Sequence, residues 1–172
     1  MAGPIRVPTA QTAGLEKGKS RPASIESVAE ILSRRKTPLI AEWLTRTKKI
    51  PELNHLRLSD KERTGHLPKL IDDLVVRLDL PRLPDKDSDA VTSLAAIAHG
   101  RLRCKQGYSS GMLIHESRIL QVTIFGTLRD NLSLLDFSLL LPDVMIIADE
   151  VDAQLTQTMD AFTKAGPKSA VA

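Results

Sequence analysis

The residues able to do chemistry gather most densely between His99 and Leu120. His99, Arg101 and Arg103 precede Gly107, and Ser109, Ser110, His115 and Glu116 follow it. Leu113, Glu116, Leu120 and Thr123 recur at spacings of three, four and three, which puts Glu116 on the apolar stripe of a helix. A carboxylate facing a core must find a partner or take up a proton. Arg101, Arg103 and His99, one helix back, are the candidates. Two roles fit such a group: a structural ion pair that fixes a corner between helices, or an element that responds to a signal.

Other chemistries find less support. The histidines are His55, His66, His99 and His115, and no two of them stand four residues apart, as the paired histidines of a helical metal motif do. His66, His99 and Glu116 can still meet in space, so a haem- or metal-binding sensor is the alternative reading. Gly100, Gly107 and Gly111 match neither Gly-rich phosphate fingerprint. Ser109, Ser110 and Cys104 have no base and orienting group near them in sequence, so the pattern points away from an enzyme. The single cysteine excludes an internal disulfide and a cysteine-based zinc site and fits the cytosol. No cofactor is expected on the leading reading.

These residues need helices to position them. Gly107 suits the left-handed residue just past a helix end, and Ser109 or Ser110 can cap the next start. Arg101, Arg103 and Lys105 lie in the last turns of the preceding helix, where positive charge meets free carbonyls. That helix is expected from Ser88 or Asp89, with Val91, Leu94, Ala98 and Leu102 buried. The next is expected from about Ser110 to Leu132.

Upstream, Ser27-x-x-Glu30 and Ser59-Asp60-Lys61-Glu62 are capping boxes. The first opens a helix interrupted by Pro38 and closed by Pro51. The second opens a helix with a kink at His66-Leu67-Pro68 and a stripe including Leu70, Ile71, Leu74 and Leu78. Residues 79–87, with Pro81 and Pro84, read as a loop. After a break at 131–136 and a short apolar piece at 137–141, Pro142 is expected to begin the last helix, reaching about Lys164. Val144, Ala148, Val151, Leu155, Thr158 and Phe162 repeat there at spacings of four and three, a heptad seam that suggests a homodimer.

The set His99-Gly100, Arg103 (or Arg101), Gln106-Gly107-Tyr108 and Glu116 resembles the RsbRD N-terminal domain family. Trp43 and the block His66-Leu67-Pro68-x-Leu70 fit the same pattern, and the likeness spans roughly residues 25–165. It implies a helical input domain of bacterial stress signalling, of the kind that precedes stressosome-type antagonists and sensor histidine kinases. Its partner would be a kinase or a STAS-type regulator. The resemblance adds Tyr108 and His66 to His99, Arg101, Arg103 and Glu116 as candidates for a ligand or signal site. Related stressosome sensors have a globin-like fold without haem, which makes that topology the alternative fold.

Composition agrees with an all-α architecture. In 172 residues there are one Trp, one Tyr and three Phe, so the core must be aliphatic. We expect an antiparallel bundle of four to five helices with proline kinks over residues 23–165, between a disordered basic arm at 1–22 and a frayed tail at 166–172. Residues 1–58 hold eleven Lys/Arg against five Asp/Glu, and the remainder thirteen against sixteen. A basic arm can touch nucleic acid, but a solvated tail is the simpler reading. No apolar run is long enough to span a membrane.

Overall fold

A computed structural model describes residues 25–80 and 92–166. Among these the chain forms seven α-helical segments: α1 (Val28–Thr47), α2 (Pro51–Asn54), α3 (Asp60–Thr64), α4 (Leu67–Asp79), α5 (Leu94–Lys105), α6 (Ser110–Arg129) and α7 (Phe137–Ala165). Five are long, and they pack as an all-α bundle. The expected arm at 1–22, most of the 79–87 loop and all but Gly166 of the tail lie outside the described residues.

The helix starts follow local chemistry. Ser27 and Glu30 exchange hydrogen bonds at 2.7 and 3.1 Å, and Ser59 and Glu62 repeat the arrangement. Each closes orphan amides of a first turn. Pro38 is accommodated inside an unbroken α1. His66-Leu67-Pro68 does not kink a helix. It divides two, because α3 ends at Thr64 and Pro68 sits in the first turn of α4, where no amide donor is needed. Pro142 does not begin α7. The Asp136 side chain accepts from the Ser138 amide at 2.9 Å and starts the helix at Phe137, leaving Pro142 within it.

The main core joins α1, α4, α6 and α7 through residues such as Ile31, Trp43, Ile71, Ile124 and Ile147. A smaller cluster of Leu53, Tyr108 and Leu113 closes the end at the α5–α6 turn, with Met159 and Phe162 against it. Residue pairings show the helix directions. Lys36 meets Asp72 while Trp43 meets His66, so α1 and α4 are antiparallel. Ser93 meets Gln157, Ala96 meets Thr158, and Gly100 meets Thr158 and Phe162, so α5 and α7 run in the same direction. That pair departs from the expected antiparallel arrangement.

Two expected faces are corrected. Helix α5 buries Ala96, His99, Gly100 and Arg103 and leaves Leu94 and Leu102 exposed. It begins at Leu94, capped by Ser93, and the expected earlier start at Ser88 or Asp89, with Val91, lies outside the described residues. Small residues let α5 lie close on α7, and polar groups fill the rest of that face. A Cβ on Gly100 would stand 2.1 Å from the Thr158 carbonyl oxygen, so only glycine fits there.

The α7 seam is not a free dimer face. Val151 and Thr158 are buried within the chain's own fold, Leu155 lines an internal cavity, and Phe162 packs in the smaller cluster, while Val144 and Ala148 are partly buried. The heptad spacing arises because α7 lies against α4, α5 and α6, and knobs-into-holes packing has the same period within a chain as between chains. Among the described residues, no helix is long and apolar enough to cross a membrane.

Candidate functional site

The corner between α5 and α6 is closed by backbone geometry. Gly107 has φ +77°, the Tyr108 amide donates to the Arg103 carbonyl at 3.1 Å, and the Gly107 amide donates to Cys104 at 3.2 Å. This is a Schellman closure, and it turns the chain so that Glu116 of α6 meets Arg103 of α5. Ser109 then caps α6 by accepting from the Met112 amide.

Across the corner, Arg103 and Glu116 form a two-point ion pair. Nε donates to Oε2 at 3.1 Å and Nη2 donates to Oε1 at 3.0 Å. Arg103 is fully buried and Glu116 nearly so. The remaining donors of Arg103 reach the Glu62 carbonyl at 3.2 Å, the Gln106 side chain at 2.7 Å and the Arg63 carbonyl at 2.7 Å. The guanidinium therefore ties α3, α5 and α6 together, and its Cζ lies 4.5 Å from the Tyr108 ring centroid. Tyr108 Oη donates to Glu116 Oε1 at 2.7 Å. Burial, then the Glu116 charge, push the Tyr108 hydroxyl well above its usual range, so it remains a donor.

Two imidazoles complete the cluster. His66, at the entry to α4, and His99, on α5, stack with ring centroids 3.7 Å apart and planes 11° from parallel. The Trp43 ring stands edge-on to His66 at 6.0 Å, and its indole N–H donates to the Glu116 backbone carbonyl at 3.2 Å. His66 Nδ1 lies 3.5 Å from Arg103 Nη2, which can only donate and whose two N–H groups already reach Glu116 and the Arg63 carbonyl, so Nδ1 faces the cation without a hydrogen of its own. His99 Nε2 lies 3.4 Å from Glu116 Oε2 and carries the proton in that contact. Its Nδ1 is then a buried lone pair with no hydrogen-bond partner among the described residues. Burial, the neighbouring His99 and the Arg103 charge hold the His66 imidazole well below its usual range. Burial also lowers His99, partly offset by Glu116.

The imidazoles separate two spaces. Inside is a cavity of about 30 Å³, where His66 and His99 meet Trp43, Glu116, Gln154 and Thr158. That volume suits a water molecule and is far below the size of a haem pocket. Outside is a groove of about 570 Å³ between α4 and α5, again lined by His66 and His99, with Lys69, Asp72 and Asp73 on one wall.

Ligand atoms of His66, His99 and Glu116 lie within 4.8 Å of one another. As arranged, they do not form a chelate. The lone pairs of nearly parallel stacked rings lie in separate planes and do not converge on a point ~2.0–2.1 Å from both nitrogens. Both Glu116 oxygens already accept from Arg103.

The site thus brings together His66, His99, Arg103, Tyr108 and Glu116. Arg101 is exposed beside Lys105, Asp160 and Lys164, away from the cluster. Arg63, Gln154 and Thr158 are additions. Arg63 is buried, and its guanidinium donates to the carbonyls of Leu53, Leu56 and Leu58. It shares a helix-like spacing with Leu67 and Leu70, the one signal in the sequence that it turns inward. The chain shows no match to a family model, to a curated protein or to a solved structure.

Proposed function

We propose that this chain is a non-enzymatic sensory or regulatory domain of bacterial signal transduction, related to the RsbRD N-terminal family and working through protein contacts in the cytoplasm. The observation that carries this reading is the buried Arg103–Glu116 pair, with Tyr108 and the stacked His66–His99 rings around it. Arg103, Tyr108 and Glu116 face one another inside the fold rather than an open cleft, an arrangement suited to holding a conformation. Helices α3, α4, α5 and α6 meet at this point, so a change in it is felt on several surfaces at once. The downstream partner is a kinase or STAS-type regulator.

The domain acts as a homodimer. Phe137, Leu141 and Met145, spaced by four and each about two-thirds exposed, are the apolar stripe that α7 leaves open.

Replacing the native gene by a Glu116→Gln allele tests the regulatory reading. At equal protein abundance, the cell's transcript pattern should follow that of a deletion strain. A wild-type pattern from a folded Glu116→Gln protein would reduce the cluster to a structural corner.

A further inference from the structure

We propose that the stacked imidazoles of His66 and His99 are a proton-binding input: acidification parts the stack, turns a ring toward the α4–α5 groove and loosens the Arg103–Glu116 corner. This rests on the regulatory reading and names the signal.

Neither ring accepts a proton where it stands. A proton on His99 Nδ1 makes a buried donor with no protein acceptor among the described residues. A proton on His66 Nδ1 sets donor against donor across the 3.5 Å to Arg103. With both rings charged, two cations would lie 3.7 Å apart beside a third. Proton uptake is therefore coupled to movement.

The groups around the pair give the movement a direction. Helix α5 presents Arg103 and α6 presents Glu116, whose charge is already shared with Arg103 and Tyr108. Arg63 of α3 is committed to backbone carbonyls. From α1 comes Trp43, and Lys36 pairs with Asp72 at the groove. Helix α7 supplies Gln154 and Thr158 at the cavity, neither titratable, with Glu150 beyond them bonded to Gln154. The groove wall on α4 carries Lys69, Asp72 and Asp73. Asp72 and Asp73 are carboxylates a cationic ring can meet, and His66 lines the same groove. Burial places the transition below the ordinary imidazole range.

Trp43 is the only tryptophan and touches both His66 and the Glu116 backbone, so its fluorescence reads the corner. The full chain is titrated from about pH 8 to about pH 5, with far-UV circular dichroism in parallel. The expected result is a reversible step in Trp43 emission, centred below about pH 6.5, with helix content retained. His66→Gln and His99→Gln should each lose that step. NMR titration of the wild-type imidazoles provides the second reading, in which the His66 and His99 resonances move together with the emission step, and it decides the matter if the variants fail to fold.

A flat emission profile, a step that survives both substitutions, or simultaneous loss of emission and helix would each overturn the proposal. If the step is absent while the Glu116→Gln allele still behaves as a deletion, the domain regulates in response to something else. If the step is present while that allele behaves as wild type, the regulatory reading fails instead.

Discussion

Arg103 offers five N–H donors, and each has an acceptor: two on Glu116, one on Gln106 and two backbone carbonyls of α3. Glu116→Ala removes the carboxylate that, among the described residues, pairs with this buried cation, and it leaves the Tyr108 hydroxyl without its acceptor. The expected loss is on the order of 3–5 kcal/mol, measured by denaturant unfolding. Glu116→Gln, which keeps the shape and part of the bonding, should lose less. A loss from Glu116→Ala no larger than that of a typical surface substitution would mean the pair contributes little. The imidazoles set a pH dependence. Both are lowered in the fold, so the unfolded chain binds their protons more readily. Their contribution to stability is present above the ordinary value of about 6.5 and is lost as pH falls toward the lowered values. Glu150, raised by burial, acts in the opposite sense, so the comparison with His66→Gln isolates the imidazole part. Unfolding midpoints should fall more steeply between about pH 7 and about pH 5.5 in the wild type than in His66→Gln. Equal slopes would contradict the assignment. At this scale the sequence was informative about Glu116, because a carboxylate on an apolar stripe stands out. It could not choose between Arg101 and Arg103, since both lie in the last turns of α5 and only the register of its buried face separates them.

That register is also what the apolar pattern of α5 does not reveal. Helix α5 was expected to bury Leu94 and Leu102, because large apolar side chains usually point inward. It buries Gly100 and Ala96 instead, and the close approach to α7 that these allow outweighs the burial of two leucines. Gly100→Ala should therefore be destabilising on the order of 1–3 kcal/mol, as an overpacked contact is, seen as a lowered thermal midpoint. An unchanged midpoint would mean that α5 can lift from α7 without cost. The seam of α7 misled for a related reason. Its period is genuine, but its residues face the chain's own helices. Val151→Asp, with Val151 only 3% exposed, should prevent cooperative folding rather than yield a folded monomer, as circular dichroism would show. The capping boxes at Ser27 and Ser59 were legible because hydrogen bonds over three residues are local. The parallel course of α5 and α7 was not, because it depends on contacts some sixty residues apart.

For the whole molecule, the aliphatic composition and helical periods pointed to an all-α bundle, and the five long helices match the number expected. The open apolar stripe on α7 carries the assembly proposal. Light scattering should give a dimer mass that falls to the monomer in Leu141→Glu combined with Met145→Glu, with helix content unchanged. A wild type that is monomeric at high concentration would contradict it. The central claim is that the Arg103–Glu116 corner is a two-state element coupled to the surface, and amide hydrogen exchange on the full chain tests it most directly. In Glu116→Gln, exchange should quicken in α5, in the first turns of α6 and at the α3–α4 junction beside His66, while the core of α1 and α7 stays protected. Faster exchange spread evenly over every helix, or no change anywhere, would contradict the account.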